Sequence, residues 1–378
     1  MSIFFLGAGF SRPAGLPLGN ELFPEMLDLA KDLGHYDRSL KHDIELFIEY
    51  YQAVKRKRLN EDDVNFEEFM SYLDIEHFLG LRGSNETSNQ RIFRNLLALV
   101  LHSRECEMTD ADFSLYEKFA ERLKPSDLIF TFNYDTVIEK ALKKKGVPFR
   151  LYPYRYKDMM PGPFGHTKID TETKEVVLLK MHGSINWFDK SDYLISKENW
   201  RYYGRETNPR HLVFDGRIDS KYIHRLVEEP YPEEKPLYNV YILEKLEEYF
   251  KQHEFIFEEP VIVSPSYNKL INLNYLKDFW QGFMESGGYD TKVVIIGSSL
   301  PSHDEYVIQP MYWFIRNFQN YQDEWIGKKS RLKIVDFKQT EKDIKEFKKR
   351  YRFVNQKKTD FYFDGFNEQT LDAIFPED

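Results

Sequence analysis

Short runs of consecutive apolar residues, each ended by a glycine or a small polar residue, recur along this chain. A run of this kind is typical of a strand that is buried on both faces, as in a parallel sheet covered by helices. Several runs are followed by a helical pattern, and this alternation predicts an α/β fold with a Rossmann-like parallel sheet. The predicted strands are Ile3–Leu6, Leu128–Phe132, Val176–Lys180, Val261–Val263, Val293–Ile296 and Leu332–Val335.

Three stretches lie outside this alternation. Residues 31–125 repeat apolar positions at helical spacing, which predicts a large helical insertion. Residues 189–257 are rich in aromatic residues, proline and charge, have no clear strand register, and are predicted to be a second insertion. Residues 346–378 combine one helical pattern with an aromatic segment and are predicted to be a C-terminal tail. The sheet-containing domain would then comprise residues 1–30, 126–188 and 258–345.

Composition narrows the classes of protein that fit. The chain carries 53 Lys and Arg against 62 Asp and Glu, a net charge of −9, which argues against a protein that coats nucleic acid or an anionic membrane. No apolar run approaches the roughly 20 residues that span a bilayer, and the first ten residues do not form a signal peptide. We therefore expect a soluble cytoplasmic protein with no membrane partner, and we do not expect direct nucleic-acid binding. The single cysteine, Cys106, excludes an internal disulfide and a zinc site made of four cysteines.

The first motif with chemical meaning, Gly7-Ala8-Gly9-Phe10-Ser11, directly follows the first predicted strand. A glycine-rich turn between a strand and a helix lets backbone N–H groups approach a pyrophosphate, assisted by the helix dipole. The usual dinucleotide fingerprint would have its third glycine where this chain has Arg12, so the motif by itself also fits an ordinary turn.

The second motif runs from Thr131 to Asp135, at the carboxyl end of a predicted strand. Ligands bind at this edge of an open α/β sheet, which makes Asn133 and Asp135 candidate site residues. The alternative is that both are turn and capping residues before the next helix. One turn can serve both purposes, since a capping Asp135 and a site-facing Asn133 are compatible.

The third motif is His182-Gly183, just past the strand Val176–Lys180. A histidine at the ligand edge of the sheet is suited to proton transfer near neutral pH. A structural histidine is the equally weighted alternative.

The fourth motif, Gly297-Ser298-Ser299-Leu300, follows the strand Val293–Ile296. Small residues at this place admit a ribose or a phosphate close to the backbone. The alternative is a helix start capped by one of the two serines.

Taken in chain order, the four motifs resemble the sirtuin family. The resemblance covers about residues 1–30, 126–188 and 258–340, and it leaves both insertions outside. It implies a sirtuin-like NAD-binding fold.

The resemblance also implies roles for individual residues. Asn133 would hold the ribose hydroxyls and the attacking water at the nicotinamide ribose, and His182 would be the catalytic base. Asp135 would either orient the Asn133 turn or contact the ribose. The residues assigned to NAD binding are Gly7, Ala8, Gly9, Phe10, Ser11, Asn133, Asp135, Gly297, Ser298, Ser299 and, at the adenine ribose, Asp336.

Three features depart from the protein-deacylating sirtuins. Those enzymes carry a zinc module with two Cys-x-x-Cys pairs after the His-Gly, whereas this region has no cysteine. Where those enzymes continue the first motif into Pro-Asp-Phe-Arg, this chain has Pro17-Leu18-Gly19-Asn20. Where they have Phe-Gly-Glu, this chain has Ser264-Pro265-Ser266-Tyr267. These losses remove much of an acyl-lysine tunnel, and what remains looks like the sirtuin-type NADases of bacterial antiphage defence.

The function that we expect from this resemblance is hydrolysis of the nicotinamide–ribose bond of NAD, with NAD as substrate and no zinc. The alternatives are a zinc-free NAD-dependent protein deacylase and a non-catalytic sensor of NAD or ADP-ribose. We also expect control through a homo-oligomer or through a partner such as a ring-forming ATPase. Aromatic residues of the insertions, among them Phe69, Tyr202 and Tyr203, are candidate interface residues.

Overall fold

The computed structural model describes most of the chain. The described residues are 1–81, 87–159, 167–205, 209–252, 258–272, 276–281, 283, 287–301, 303–320 and 330–376.

The strands form one large sheet and two small ones. Their bounds are β1 (Ser2–Leu6), β2 (Leu128–Thr131), β3 (Phe149–Arg150), β4 (Tyr156–Met159), β5 (Thr167–Ile169), β6 (Val176–Lys180), β7 (Trp187–Asp189), β8 (Ile223–Arg225), β9 (Val240–Leu243), β10 (Lys292–Ile296), β11 (Leu332–Val335) and β12 (Thr359–Tyr362).

The helices surround the large sheet or lie in the two long stretches that interrupt it. Their bounds are α1 (Ala8–Ser11), α2 (Gly19–Asp32), α3 (Lys41–Lys55), α4 (Phe66–Phe78), α5 (Thr87–Glu107), α6 (Asp110–Glu121), α7 (Val137–Lys144), α8 (Ser191–Tyr202), α9 (Leu246–Phe250), α10 (Lys277–Trp280), α11 (Glu305–Asn320), α12 (Glu341–Arg350) and α13 (Glu368–Ile374). Within the described ranges, no helix combines the length and the apolar character needed to cross a membrane.

The central sheet has the order β12-β11-β10-β1-β2-β6-β3 in the described part of the chain, and each neighbouring pair is parallel. Residues Ile3–Leu6 of β1 are all 0% exposed, because β1 is central and covered on both faces. This burial explains why β1 reads as a continuous apolar run. The predicted α/β fold with a Rossmann-like parallel sheet is confirmed.

One predicted strand, Val261–Val263, is wrong. The segment makes an isolated antiparallel bridge between Ile262 and Gly183 instead of joining the large sheet. The outer side of β6 is already paired with β3, so no parallel position beside β6 remains for it. Its apolar residues are buried all the same, with Ile262 at 5% and Val263 at 2% exposure.

The described part of the stretch between β1 and β2 is mostly helical, as its apolar spacing predicts. Its core is aromatic: the rings of Phe47 and Phe93 lie 5.3 Å and 5.0 Å from the ring of Phe69. Phe69 is 0% exposed, so the interpretation of this residue as an interface aromatic is wrong.

The stretch after β6 contains sheet structure that the sequence did not reveal. β7, β9 and β8 form a three-stranded antiparallel sheet in that order within the described residues. These strands are three or four residues long, too short for an alternating pattern to stand out.

The described residues of the predicted C-terminal tail, 346–376, are part of the folded domain. β12 pairs in parallel with β11 and forms an edge of the central sheet. The ring of Phe366 lies 4.8 Å from that of Phe10, and the ring of Phe375 lies 5.5 Å from that of Phe4. The end of the chain therefore completes the core beside β1.

Candidate active site

A cleft opens at the carboxyl ends of β1, β2, β6 and β10, the edge at which the four motifs were expected. Parallel strands end at a common edge, so turns that are far apart in sequence meet there. The cleft brings together these predicted site residues: Gly7, Ala8, Ser11, Asn133, Asp135, His182, Gly297, Ser298 and Ser299.

The glycines of the first and fourth motifs allow two loops to touch. A Cβ on Gly7 would lie 2.6 Å from the carbonyl oxygen of Gly297, and one on Gly9 would lie 2.7 Å from the Cα of Gly297. The N–H of Gly9 donates to the carbonyl of Gly297 at 3.0 Å, and that of Gly7 donates to Ile296 at 2.9 Å. These two N–H groups join the loop after β1 to the end of β10 and the loop that follows it.

Gly9, Phe10 and Asp336 are not among the described residues that line the cleft. Phe10 is 1% exposed, and its carbonyl accepts a hydrogen bond from the hydroxyl of Tyr116 at 2.9 Å. Asp336, just past β11, accepts from the ammonium of Lys338 at 3.1 Å. Phe10 therefore packs in the core, Asp336 forms a local ion pair, and their assignment as NAD contacts stays a prediction.

Asn133 joins the turn after β2 to the turn after β1. Its Nδ2 donates to the carbonyl of Gly7 and to the Oγ of Ser11, both at 3.0 Å. Asn133 is 8% exposed and still lines the cleft. The amide is thus held in place by the protein itself.

Asp135 is a turn residue, as the capping alternative expects, and it also lines the cleft. Its Oδ1 accepts from the N–H of Val137 at 3.1 Å, at the start of α7. Burial, together with the negative charge of Glu105, raises the pKa of Asp135 to about 6, against the opposing charge of Lys180. At neutral pH the carboxyl is therefore mostly ionised, but close to its titration range.

A buried ion network holds the Asp135 turn from behind. Lys180 of β6 is 0% exposed, and its Nζ lies 2.6 Å from Oε1 of Glu139 and donates to the carbonyl oxygen of Asp135. Glu105 of α5 accepts from the hydroxyl of Thr136 at 2.6 Å. The helical stretch therefore helps to shape the site.

His182 lies in an aromatic surrounding just beyond β6. Its ring centroid is 5.3 Å from that of Phe132, 5.9 Å from that of Tyr134 and 6.0 Å from that of Tyr306. Burial, with the positive charge of Lys269, lowers the pKa of His182 to about 3. The imidazole is therefore neutral at physiological pH, as a proton acceptor must be.

The structure explains why glycine follows His182 in the third motif. Gly183 has φ +80°, and a Cβ there would lie 2.0 Å from the carbonyl oxygen of Val261. Only glycine fits this approach without displacing the Val261–Val263 segment.

A charged cluster at the cleft was not predicted from the sequence. Lys269 Nζ lies 2.6 Å from Oδ1 of Asp304 and 3.4 Å from Oε1 of Glu67. Although burial opposes the change, the neighbouring His303 and Lys269 lower the pKa of Glu67. Glu67 belongs to α4, so the helical stretch contributes a carboxylate to the cleft; no local pattern around Glu67 signals this.

Metal ligands do not gather in the described part of the chain: no group of three or more His, Cys, Asp or Glu is placed to hold an ion there. Cys106 is exposed on α5, with its Sγ 3.7 Å from a ring nitrogen of His102.

Comparison with known proteins identifies one family. Residues 127–257 match the family model of the SIR2-like domain. No curated protein matches the chain. Among solved structures, "Structure of Sir2Tm bound to a propionylated peptide" matches with 11% identity and a TM-score of 0.30, covering 99% of this chain and 91% of that chain.

The matched range differs from the extent of the sequence resemblance. It includes the second insertion, residues 189–257, and leaves the first and fourth motifs outside. It contains the turns that carry Asn133, Asp135 and His182. Residues 127–257, about a third of the chain, are therefore similar to the SIR2-like domain.

Proposed function

We propose that this protein is an NAD⁺ glycohydrolase, which cleaves the nicotinamide–ribose bond to give nicotinamide and ADP-ribose. A SIR2-like domain implies an NAD-related activity. The observation that carries the finer proposal is the meeting of Asn133, Asp135 and His182 in one cleft with the loops after β1 and β10.

The residues of the cleft fit a dinucleotide. Ala8, Ser298 and Ser299 have small side chains, so a phosphate or ribose can come close to the two loops. Ser11 accepts from Asn133 and also hydrogen-bonds Asp135, which links the polar groups of the wall into a chain. Hydroxyl, amide and carboxylate groups are the partners that ribose hydroxyls require.

The side chains divide the work of the reaction between positioning and proton transfer. Bound NAD supplies a glycosidic bond that breaks as nicotinamide leaves neutral and positive charge develops on the ribose. Asn133 positions the ribose hydroxyls and the water, and a held geometry replaces much of the entropic barrier. His182, neutral in its aromatic surrounding, accepts the proton of the attacking group. The ionised carboxylate of Asp135 favours positive charge in the cleft.

Nicotinamide release from NAD by the purified full-length chain tests the proposal. We expect Asn133→Ala and His182→Ala each to lower the rate by about 10²–10⁴-fold, the usual contribution of a positioning or proton-transfer group. Asn60→Ala and His224→Ala, at surface positions outside the cleft, are the matched controls and keep the wild-type rate.

The products distinguish the other candidate functions. A deacylase would release nicotinamide only with an acylated peptide and would form O-acyl-ADP-ribose. A sensor would bind NAD in a calorimeter and release no nicotinamide. Either result overturns the glycohydrolase proposal, as does full activity of either cleft variant with an unchanged melting temperature.

For the biological setting we propose a cytoplasmic antiphage-defence effector whose activity is restrained until it is triggered. The reason is that free hydrolysis of NAD would deplete a cofactor that the host cell needs. Restraint through self-association or through a ring-forming ATPase partner is part of this proposal.

A further inference from the structure

Both ring nitrogens of His182 are engaged by the protein. The hydroxyl of Tyr306 hydrogen-bonds Nε2, and the backbone of Phe132 makes a second hydrogen bond to the ring. The hydrogen bond to Phe132 raises the pKa of His182, which means that it favours the protonated ring. A backbone carbonyl that accepts from a ring N–H has this effect. A neutral imidazole has one donor and one acceptor, so Nε2 accepts from Tyr306 while Nδ1–H donates to Phe132.

These hydrogen bonds limit how His182 can act as a base. The lone pair that would take up the proton is the one that the Tyr306 hydroxyl already occupies. A phenol can donate one hydrogen bond and accept another at the same oxygen. A proton can therefore reach Nε2 through the phenol without displacing it.

We propose that Tyr306 is the proton relay between the substrate and His182, an inference that rests on the proposed glycohydrolase function. The O–H bond of the attacking water or of a ribose hydroxyl breaks, and its proton forms a new O–H bond at Tyr306 Oη. At the same time the former phenolic O–H bond breaks, and that proton forms an N–H bond at His182 Nε2. The phenol is regenerated, the imidazole becomes imidazolium, and the deprotonated oxygen keeps the electron pair with which it attacks the ribose.

The placement of Tyr306 fits a relay. It lies in the first turn of α11, and Asp304 and Val307 on either side of it line the cleft. Its ring packs 5.7 Å from that of Trp280, yet the residue is partly exposed. Tyr306 itself is not among the residues described as lining the cleft, but it is partly exposed and is held directly beside the cleft, between two residues that line it.

The charges around the pair keep Tyr306 protonated and His182 neutral. Burial, with the carboxylates of Asp304 and Glu67 and the hydroxyl of Tyr134, raises the pKa of Tyr306. Lys269 faces the same region and disfavours a positive His182. The resting pair is therefore a neutral phenol that donates to a neutral imidazole, which is the starting state of the relay.

The substitution Tyr306→Phe removes the hydroxyl and keeps the ring. We expect nicotinamide release to fall by about 10²-fold or more, as for loss of a general acid–base group. Tyr312→Phe is the control and keeps the wild-type rate, because Tyr312 lies on the same helix but packs its ring against Trp313 and Phe353. If Tyr306 merely blocked His182, the Phe variant would be faster; if it merely packed, the rate would not change. Either result overturns the relay.

Nitrogen NMR of the full-length protein labelled at histidine gives a readout independent of turnover. In the wild type we expect an unprotonated, hydrogen-bonded Nε2 at His182, and in Tyr306→Phe a raised pKa of His182, because the bond that favours the neutral ring is gone. An Nε2-protonated wild-type ring would overturn the relay. Spectra as expected in a protein that releases no nicotinamide would refute the glycohydrolase function and leave the hydrogen-bonded pair in place.

Discussion

At the scale of single residues, the surroundings of a group decide its charge. Asp135 and His182 line one cleft, and burial moves their pKa values in opposite directions, to about 6 and about 3. Burial disfavours the charged form of each, so the acid becomes weaker and the base becomes harder to protonate. Neither value follows from residue type, since both depend on neighbours that other elements supply.

This pair of shifts predicts the pH dependence of nicotinamide release. Asp135 is protonated as the pH falls below about 6, while His182 stays neutral until about 3. The acid limb of the rate profile should therefore lie near pH 6 and belong to Asp135. Rates measured across pH in the wild type and in Asp135→Asn check this: the variant should be slower and lack that limb. A limb that persists in Asp135→Asn would assign it to another group.

At the scale of elements, close backbone contacts hold the site turns together. The bridge between Gly183 and Ile262 packs an extended segment against the end of β6, beside His182. The contact of Gly7 and Gly9 with Gly297 does the same for the loops after β1 and β10. The glycines of the motifs are thus needed where the backbones of two elements pack closely together.

Gly183→Ala tests this interpretation. Its Cβ would lie 2.0 Å from the carbonyl oxygen of Val261, so we expect a loss of about 3 kcal/mol in the free energy of unfolding. Gly15→Ala is the matched control, because Gly15 has φ +81° and nothing lies within 4 Å of its added Cβ. The control should lose only about 1 kcal/mol. Denaturant unfolding measures both, and equal losses would show that backbone conformation alone makes glycine necessary at Gly183.

At the scale of the whole molecule, the helical stretch between β1 and β2 forms part of the cleft and supports it. Glu67 and Glu105 come from the helical stretch, yet one lies at the cleft and the other fixes the Asp135 turn. The same stretch exposes Phe78, Leu79 and Leu81, at 66%, 60% and 65%. These side chains are candidates for contacts outside the chain.

We predict that stability does not depend on zinc. The chain has one cysteine, and structural zinc sites usually depend on several. Metal analysis of the purified protein should find no stoichiometric zinc, and its melting temperature should not change with chelator. One zinc per chain that is lost together with stability would contradict this.

We also predict a homo-oligomer whose turnover a partner changes. Light scattering should give a multiple of the 45.4 kDa chain mass, and replacing Phe78 and Leu79 with Asp should lower it, because charge opposes burial of that surface. Exposed Tyr202, changed to Ser, tests α8 as the other contact. NAD turnover with and without a ring-forming ATPase encoded beside the gene tests control. A monomer with equal turnover in both conditions would contradict both parts.

Local sequence determined much of this protein. The apolar runs of β1, β6 and β11 stand out in the sequence because strands that are buried on both faces have apolar side chains at most positions. The polar motifs after such runs meet because parallel strands end at one edge, which is why Asn133 and His182 could be expected to line one cleft. Short or weakly patterned strands such as β8 and β12 were missed, since their burial comes from neighbours rather than from a local alternation.

Only the tertiary structure decided how the site is completed. Glu67, Lys269 and Asp304 meet although more than two hundred positions separate the first from the other two. Tyr306 reaches His182 from a helix that follows a different strand. Contacts of this kind leave no periodic signal in the sequence, because they depend on how folded elements pack and not on the residues next to them in the chain.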